Sequence, residues 1–181
     1  IYVGYDRRGR HGVARAAVVV LALPALTVVD KAVATVPVDF PYVPGLLTFR
    51  EAPAAIAALT RLDQRPDLLL CDGQGLAHPR RLGFASHLGL FLDLPSVGVA
   101  KSILVGSHAE PGRTKGSWTP LEDDGELVGA ALRTRADTTP IYVSIGHRVS
   151  LASAIDLVLR CTTRYRLPET TRLADRLSKH H

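Results

Sequence analysis

Three apolar, β-branched stretches at the start of the chain constrain its fold more than any other feature. They cover residues 1–5, 14–21 and 26–36. A polar turn separates the first two stretches, and a short Leu-Pro-Ala link separates the second from the third. Strands that follow one another through short connections usually pair antiparallel. The opening of the chain therefore predicts a three-stranded antiparallel meander.

The spacing of the apolar residues changes after residue 45. Ile56, Leu59 and Leu62 share one helical face. Residues 68–71 form a continuous apolar run, which is typical of a strand buried on both faces. The remaining predicted elements are helices over 83–94, 150–160 (with Ser150 as the N-cap) and 170–179, and strands over 97–100, 127–133 and 141–145.

An antiparallel start followed by alternating helices and strands indicates a layered α/β fold. This order of elements matches a ribonuclease H-like mixed sheet, with an antiparallel three-stranded start and then parallel strands, flanked by helices. The polar segment between the strands over 127–133 and 141–145 predicts a hairpin there.

Composition narrows the class of protein. The 181 residues carry a net charge of 22 − 17 = +5 and are 46% hydrophobic, which predicts one globular domain over residues 1–181 and excludes a disordered chain. Two cysteines suit a reducing compartment, and no apolar run is long enough to span a membrane. We therefore expect a cytoplasmic protein with no obligate protein partner. Because residue 1 is not Met, truncation at the N-terminus is also expected.

Two acidic residues stand where this fold would place chemistry. Asp72 directly follows the buried run and precedes Gly73-Gln74-Gly75, so it would lie at the carboxyl end of a strand. Glu51 lies near a predicted helix start. Two converging carboxylates supply the oxygen ligands that a hard divalent cation prefers. Taken singly, Asp72 also fits a strand-terminating turn, and Glu51 fits a solvated carboxylate that favours the helix dipole.

His147 follows the last predicted strand, just before the Ser150 cap. A histidine at the exit of a strand can orient water, bind a metal or contact a phosphate, and it fits a surface position equally well. The spacing of the histidines and cysteines contains no zinc-binding pattern.

A stiff aromatic segment, Pro41-Tyr42-Val43-Pro44, precedes Glu51. Its two prolines hold the preceding residues extended. An aromatic side chain on such a loop can stack on bases and separate a duplex, or it can anchor the loop in the core. Basic groups follow two of the predicted strands, where phosphates would lie: His78, Arg80, Arg81 and Lys101.

Ordered strings over most of the chain resemble the endonuclease V family, the deoxyinosine-directed nucleases. The strings are FPYVPGLLTFRE at 40–51, DGQGLAHPR at 72–80, GFASHLG at 83–89, GVAK at 98–101, VSIGHR at 143–148 and LPE at 167–169. Strings of this length, in this order, are far more specific than a short motif. The resemblance implies a ribonuclease H-like nuclease.

The resemblance also implies a role for each matching residue. Asp72 and Glu51 would be catalytic, metal-binding acids, with Mg²⁺ as the cofactor and Mn²⁺ as a substitute, and His147 would be a third catalytic residue. The wedge that separates the strands would be Pro41, Tyr42, Val43 and Pro44. The lesion pocket and backbone groove would be lined by Gly45, Gly73, His78, Gly83 and Lys101.

The reaction implied by the resemblance is metal-assisted hydrolysis of DNA that contains deoxyinosine, as a step of DNA repair. The cut would fall at the second phosphodiester on the 3′ side of the lesion and leave 3′-hydroxyl and 5′-phosphate ends. Extrusion of the hypoxanthine base is reasonable, because a mispaired base costs less to flip than a paired one. Inosine-containing RNA is an alternative substrate, the reaction is compatible with one metal ion or two, and the chain with a monomer or an oligomer.

The first strand departs from the family it resembles. That family carries an acid there, in a pattern like Val-Asp-Val-Ser/Gly-Tyr, whereas this chain begins Ile1-Tyr2-Val3-Gly4-Tyr5-Asp6. Matching Val3, Gly4 and Tyr5 places Tyr2 at the acidic position. A rival register places Asp6 there, and a shift of four residues keeps the same face of the strand. A phenol, with an ordinary pKa near ~10, is a poor substitute for a carboxylate ligand.

Three hypotheses about function follow. The chain is an active, Mg²⁺-dependent deoxyinosine endonuclease, or it binds inosine-containing nucleic acid with impaired catalysis because Tyr2 replaces the acid. The third is a different ribonuclease H-like nuclease, such as a structure-specific one, against which the strings around Tyr42 argue.

Overall fold

The computed structural model describes residues 1–6 and 12–179. The predicted meander is confirmed: β1 (Tyr2–Asp6), β2 (Val13–Ala22) and β3 (Thr27–Pro37) pair antiparallel in that order. The polar turn predicted between β1 and β2 falls mainly on residues 7–11, which lie outside the described part of the chain.

A second sheet contains five strands in the order β4-β5-β8-β7-β6. Their bounds are β4 (Leu69–Asp72), β5 (Ser96–Ala100), β6 (Trp118–Asp123), β7 (Glu126–Leu132) and β8 (Ile141–His147). Strands β4 and β5 pair parallel, and the other neighbouring strands pair antiparallel. Among the described strands of this sheet, fewer pairs are parallel than predicted, because β8 runs antiparallel to β5. The hairpin of β7 and β8 agrees with the sequence.

Ile1 joins the two sheets. Its amino nitrogen donates to the carbonyl oxygen of Leu70 at 2.7 Å, and its own carbonyl oxygen accepts from the backbone nitrogen of Asp72 at 3.0 Å. Ile1 thus bonds to the residues on either side of Cys71, which is the hydrogen-bond pattern of two parallel strands. The chain entering β1 therefore lies beside β4, and the strands form one mixed sheet of the ribonuclease H-like kind.

Within the described residues, four helices cover the sheet: α1 (Thr48–Leu59), α2 (Phe84–Leu92), α3 (Leu151–Arg160) and α4 (Glu169–Lys179). Ser150 caps α3 as predicted, because its side chain accepts a hydrogen bond from the backbone nitrogen of Ser153 at 3.1 Å. Helix α1 begins earlier than its apolar spacing indicates and ends before Leu62. None of the helices described is long and apolar enough to cross a bilayer.

The helices lie on both faces of the sheet. Successive residues of β2 point to opposite faces and pack against different helices. Ala16 and Val18 join the buried cluster that contains residues of α1 and α2. Ala17 and Val19 point to the opposite face and pack with Ala174 of α4. The amino-terminal ends of β1 and α1, the carboxyl end of β4 and the middle of α4 are thereby brought to one region.

Candidate active site

Three carboxylates from three elements lie around the phenol of Tyr2 on β1. Glu51 is in the first turn of α1, Asp72 ends β4, and Asp175 is on α4. Burial raises the pKa of Tyr2 to about 12, and the charges of all three carboxylates contribute to the increase. The Tyr2 hydroxyl also hydrogen-bonds to Asp175. Tyr2 therefore stays protonated at neutral pH, among acidic groups.

Glu51 is a buried carboxyl group, 8% exposed. Burial raises its pKa to about 7, and the nearby charge of Asp72 adds to this effect. A hydrogen bond that the Tyr5 hydroxyl donates to Oε1, at 3.3 Å, and the charge of Arg50 act in the opposite direction. Glu51 can therefore accept or release a proton near neutral pH, and a nearby cation would favour its ionised form.

Asp72 is held by a lysine at the end of the neighbouring strand. The Nζ atom of Lys101 lies 2.9 Å from Oδ2 of Asp72 and 5.3 Å from the centre of the Tyr2 ring. Parallel pairing of β4 with β5 produces this contact, because Asp72 aligns with Val99, two residues before Lys101. The Lys101 side chain is 44% exposed, so the pair contributes little to stability and its ammonium group can reach a phosphate.

These donors fit a Mg²⁺-like cation in chemistry. Such an ion commonly takes one or two carboxylates together with water and substrate phosphates, and Glu51 and Asp72 interact electrostatically as a pair. In the part of the chain that the structure describes, no three acidic, histidine or cysteine side chains form a ready-made metal group. Each carboxylate instead has a protein partner: Tyr5 for Glu51, Lys101 for Asp72, and Lys179 for Asp175.

The sequence interpretation missed Asp175. Its Oδ2 lies 2.8 Å from Nζ of Lys179, four residues later, so in sequence it looks like an ordinary ion pair on a basic helix. Only the packing of α4 on β1 and β2 brings it to Tyr2, with Ala174 buried against the sheet. A prediction of this residue needs the position of α4, which no local pattern contains.

The structure also distinguishes the two registers of the first strand. Ile1 bonds to the backbone of Asp72, so Tyr2 follows immediately at the carboxylates. The backbone of Asp6 pairs with Val13 at the far end of β1, and its side chain is outside the described part of the structure. At ~3.3 Å per residue, about 13 Å of strand separates the two positions. Tyr2 therefore occupies the place nearest to the other acids.

His147 lies apart from Asp72 along the sheet, and its catalytic role stays a prediction. Strand β8 runs antiparallel to β5, so His147 aligns with Ser96 at the start of β5, whereas Asp72 aligns with Val99 near its end. Nε2 of His147 lies 3.6 Å from Oδ1 of Asp93 instead. The direction of β8, which its own sequence does not reveal, determines this position of His147.

The predicted wedge is an exposed aromatic side chain before a tight turn. The backbone nitrogen of Leu46 donates to the carbonyl oxygen of Val43 at 2.9 Å, which closes a turn over Pro44 and Gly45. Gly45 has a φ of +77°, as the third position of a type II turn requires. Tyr42 is 69% exposed, so it does not anchor the loop in the core.

Hydrogen bonds from His78 and Arg80 to the backbone of Gly45 fix this turn. His78 is 7% exposed, and its Nδ1 accepts from the backbone nitrogen of Arg80 at 3.1 Å. The ring also bonds to the backbone of Gly45, and the Arg80 guanidinium donates to the Gly45 carbonyl oxygen at 3.1 Å. Burial lowers the pKa of His78, and the charges of Arg80 and His87 add to this effect. Gly45 and His78, both predicted for the lesion pocket, are thus one unit.

The loop after Asp72 has no space for side chains at several positions. A Cβ on Gly75 would stand 2.0 Å from the carbonyl oxygen of Ile145, and a Cβ on Gly83 would stand 2.4 Å from that of Gln74. The backbone nitrogen of Gly83 donates to Gly75 at 2.9 Å. Gly73 and Gly83, also predicted for the pocket, therefore belong to one rigid loop that begins at Asp72.

We expect Glu51→Gln to stabilise the protein at alkaline pH in the absence of divalent ions. The pKa of Glu51 rises from 4.5 to about 7 on folding, so the folded state loses stability as pH increases between these values. The variant should gain up to about 3 kcal/mol in free energy of unfolding at pH 8 and nothing near pH 4. Urea unfolding in EDTA at both pH values measures this, with the exposed Glu122→Gln as the control. A variant that is less stable than the unaltered chain at pH 8 would contradict the burial effect.

Comparison with known proteins identifies a family and close relatives of this chain. The endonuclease V family model matches residues 2–176. The endonuclease V of Roseiflexus sp. (strain RS-1) is 65% identical over 167 residues, which is 92% of this chain and 75% of that protein.

Solved structures agree with the sequence relatives. The endonuclease V of Streptomyces avermitilis superposes with a TM-score of 0.93 at 49% identity, over 98% of this chain and 77% of that one. The endonuclease V of Ciona intestinalis, solved with a 24mer DNA containing an inosine followed by a ribo-adenosine, has a TM-score of 0.81 at 28% identity, over 98% and 82% of the two chains. Similarity of this extent, in both sequence and fold, shows that the chain belongs to the endonuclease V family.

Proposed function

We propose that this chain is an endonuclease that recognises deoxyinosine in DNA and hydrolyses the second phosphodiester on its 3′ side, in DNA repair. One observation carries the proposal: the exposed Tyr42 lies nine residues before Glu51, on the loop that leads into α1. A side chain that would contact the base and an acid that would serve the active site therefore lie on one loop and the helix that follows it. The inosine-containing DNA in the Ciona intestinalis structure supports the substrate, and the family resemblance supports the position of the cut.

Glu51 and Asp72 would hold Mg²⁺ or Mn²⁺, with Asp175 as a third acid beside them. A bound cation of this kind supplies positive charge to the phosphate and lowers the pKa of a water molecule. The other steps belong to the chain's own residues. Lys101 would contact a phosphate oxygen from its place beside Asp72. Glu51 would bind the cation in its ionised form, because the positive charge opposes the increase in pKa that burial causes.

Tyr2 favours a second candidate, in which the chain binds inosine-containing nucleic acid with impaired catalysis. The phenol lies among the three carboxylates, where it hydrogen-bonds to Asp175. With a pKa of about 12 it stays neutral, so it contributes no anionic ligand to a cation. Both candidates share recognition of the lesion, and they differ in the rate of cleavage.

We expect Tyr42→Ala to weaken the preference for inosine-containing duplex over normal duplex by about tenfold, because stacking on a base contributes ~1–3 kcal/mol. The fold should be unaffected, since Tyr42 is 69% exposed. Phe91→Ala is a matched control, because Phe91 is 70% exposed and lies at the end of α2. Fluorescence anisotropy with both duplexes measures the ratio of affinities. An unchanged ratio in Tyr42→Ala would remove the wedge from the proposal.

A substrate panel tests the choice of substrate. The panel contains a duplex with one deoxyinosine, the same duplex with one inosine ribonucleotide, a mismatch and a flap of the same length. We expect the unaltered chain to bind the deoxyinosine duplex most tightly. Tighter binding of the flap would support a structure-specific nuclease, and tighter binding of the ribonucleotide duplex would support an RNA substrate.

A further inference from the structure

A basic groove of about 700 Å³ begins beside Tyr2 and runs along α4. Asp175 is the one acidic side chain among its described lining residues, and five cationic side chains surround it: Lys101, Arg166, Arg172, Arg176 and Lys179. Such an excess of positive charge attracts phosphate groups. The groove follows the basic terminal helix that the sequence predicts, and the cations of this helix have no role in the proposed hydrolysis.

The wall of the groove is a fixed arrangement. The guanidinium of Arg172 lies 3.5 Å from the centre of the Tyr165 ring, and that of Arg164 lies 4.7 Å from it. Arg172 also pairs with Glu169 at 2.6 Å. Arg166 donates to the carbonyl oxygens of Lys101 and Pro140 at 3.1 and 2.7 Å. Arg172 and Arg166 are therefore held in place before any ligand arrives, which reduces the entropy lost on binding.

A buried hydroxyl group points to a missing partner at the same place. Thr171 lines the groove in the first turns of α4, is 1% exposed, and its Oγ1 has no hydrogen-bond partner in the part of the chain that the structure describes. Buried polar atoms usually have a partner. Together with the cations, an unpaired hydroxyl group suits an anionic oxygen.

The groove is continuous with the candidate active site. Lys101 lines the groove and bonds to Asp72, while Tyr2 lines it and bonds to Asp175. The wedge is connected through other residues, because the guanidinium of Arg50 lies 5.2 Å from the Tyr5 ring and 6.0 Å from the Tyr42 ring. The carboxylates are therefore linked to both regions. Asp72 and Asp175 contact groove residues, and Glu51 contacts Tyr5, whose ring lies near the same Arg50 guanidinium as Tyr42.

We propose that this groove holds the phosphate backbone of the DNA strand on the 3′ side of the cleaved bond. The inference rests on the proposed function, since a lesion at Tyr42 and a cut at the carboxylates leave the groove to the strand beyond the cut. Arg176 and Lys179 are three residues apart on α4, so they face the same side of the helix and can contact successive phosphates.

The test is the salt dependence of binding to a deoxyinosine duplex in EDTA. We expect the double variant Arg176→Gln/Lys179→Gln to reduce the slope of log K against log salt concentration by about 1.8, which weakens binding about 100-fold at ~50 mM salt. The double variant Arg113→Gln/Arg160→Gln removes the same charge from exposed arginines that do not line the groove. Equal slopes for the two double variants overturn the proposal. Thermal unfolding confirms that both variants are folded.

Shortened duplexes test the direction of the strand. The deficit of Arg176→Gln/Lys179→Gln should disappear when the DNA ends just beyond the cleaved bond on the 3′ side, and persist when it is shortened on the 5′ side. The opposite pattern, or competition by inorganic phosphate as strong as that by DNA, overturns the proposal. Normal duplex should show the same loss of slope. If the unaltered chain shows no preference for inosine but Arg176→Gln/Lys179→Gln still has the smaller slope, the proposed function is contradicted and the proposal for the groove is not.

Discussion

Tyr2→Asp is expected to raise the rate of nicking of a deoxyinosine duplex in Mg²⁺ by about 100-fold or more. The substitution removes a neutral phenol from the midst of Glu51, Asp72 and Asp175 and adds a carboxylate in its place. A further oxygen ligand strengthens the binding of a hard cation. Single-turnover nicking assays measure the rate, and calorimetric titration with Mn²⁺ measures the affinity for the cation.

Tyr2→Asn is the matched control for this substitution. It has the size of Tyr2→Asp and removes the phenol, but it supplies no negative charge. We expect it to leave the rate within a few-fold of the unaltered chain. In EDTA, Tyr2→Asp should lower the melting temperature because four acids then repel one another, and Mg²⁺ should restore it. Equal acceleration by both variants would show that the bulk of Tyr2, and not a missing carboxylate, limits the reaction.

Asp72→Asn is expected to reduce nicking by about 10³-fold while leaving affinity for the inosine-containing duplex nearly unchanged. The carboxylate is the one that parallel pairing places beside Lys101, and an amide is a weaker ligand for a hard cation. Stability should change little, because the partner lysine is 44% exposed. The same single-turnover assay and anisotropy binding measure both quantities.

Asp67→Asn is the control for Asp72→Asn. Asp67 is exposed and stands just before the same strand, so the variant makes the same chemical change away from the carboxylates. We expect it to nick at the rate of the unaltered chain. Retention of activity by Asp72→Asn would show that the three acids around Tyr2 are not the catalytic centre.

Local patterns were sufficient for much of the fold. The meander and the buried β4 could be predicted because alternation and continuous apolar runs report burial directly. Strand β6 was missed because Pro120 and its charged end obscure the pattern. A turn signal was nevertheless present: Asp124 and Gly125 both have positive φ, as a two-residue hairpin turn requires.

The residues of the candidate site also differ in whether local sequence could predict them. Glu51 and Asp72 could be predicted because each stands at the end of an element that its own neighbours define. Asp175 and His147 could not be placed, because their positions depend on the packing of α4 and on the direction of β8. Such long-range geometry leaves no trace in a short window of sequence.

Nicking of a duplex with a single deoxyinosine, compared with the same duplex without it, tests the proposed function most directly. The unaltered chain, Tyr2→Asp and Asp72→Asn are incubated with both duplexes in Mg²⁺. We expect cleavage of the inosine-containing strand alone, faster in Tyr2→Asp and lost in Asp72→Asn. Equal cleavage of both duplexes, or no cleavage by either the unaltered chain or Tyr2→Asp, would contradict a deoxyinosine-directed endonuclease.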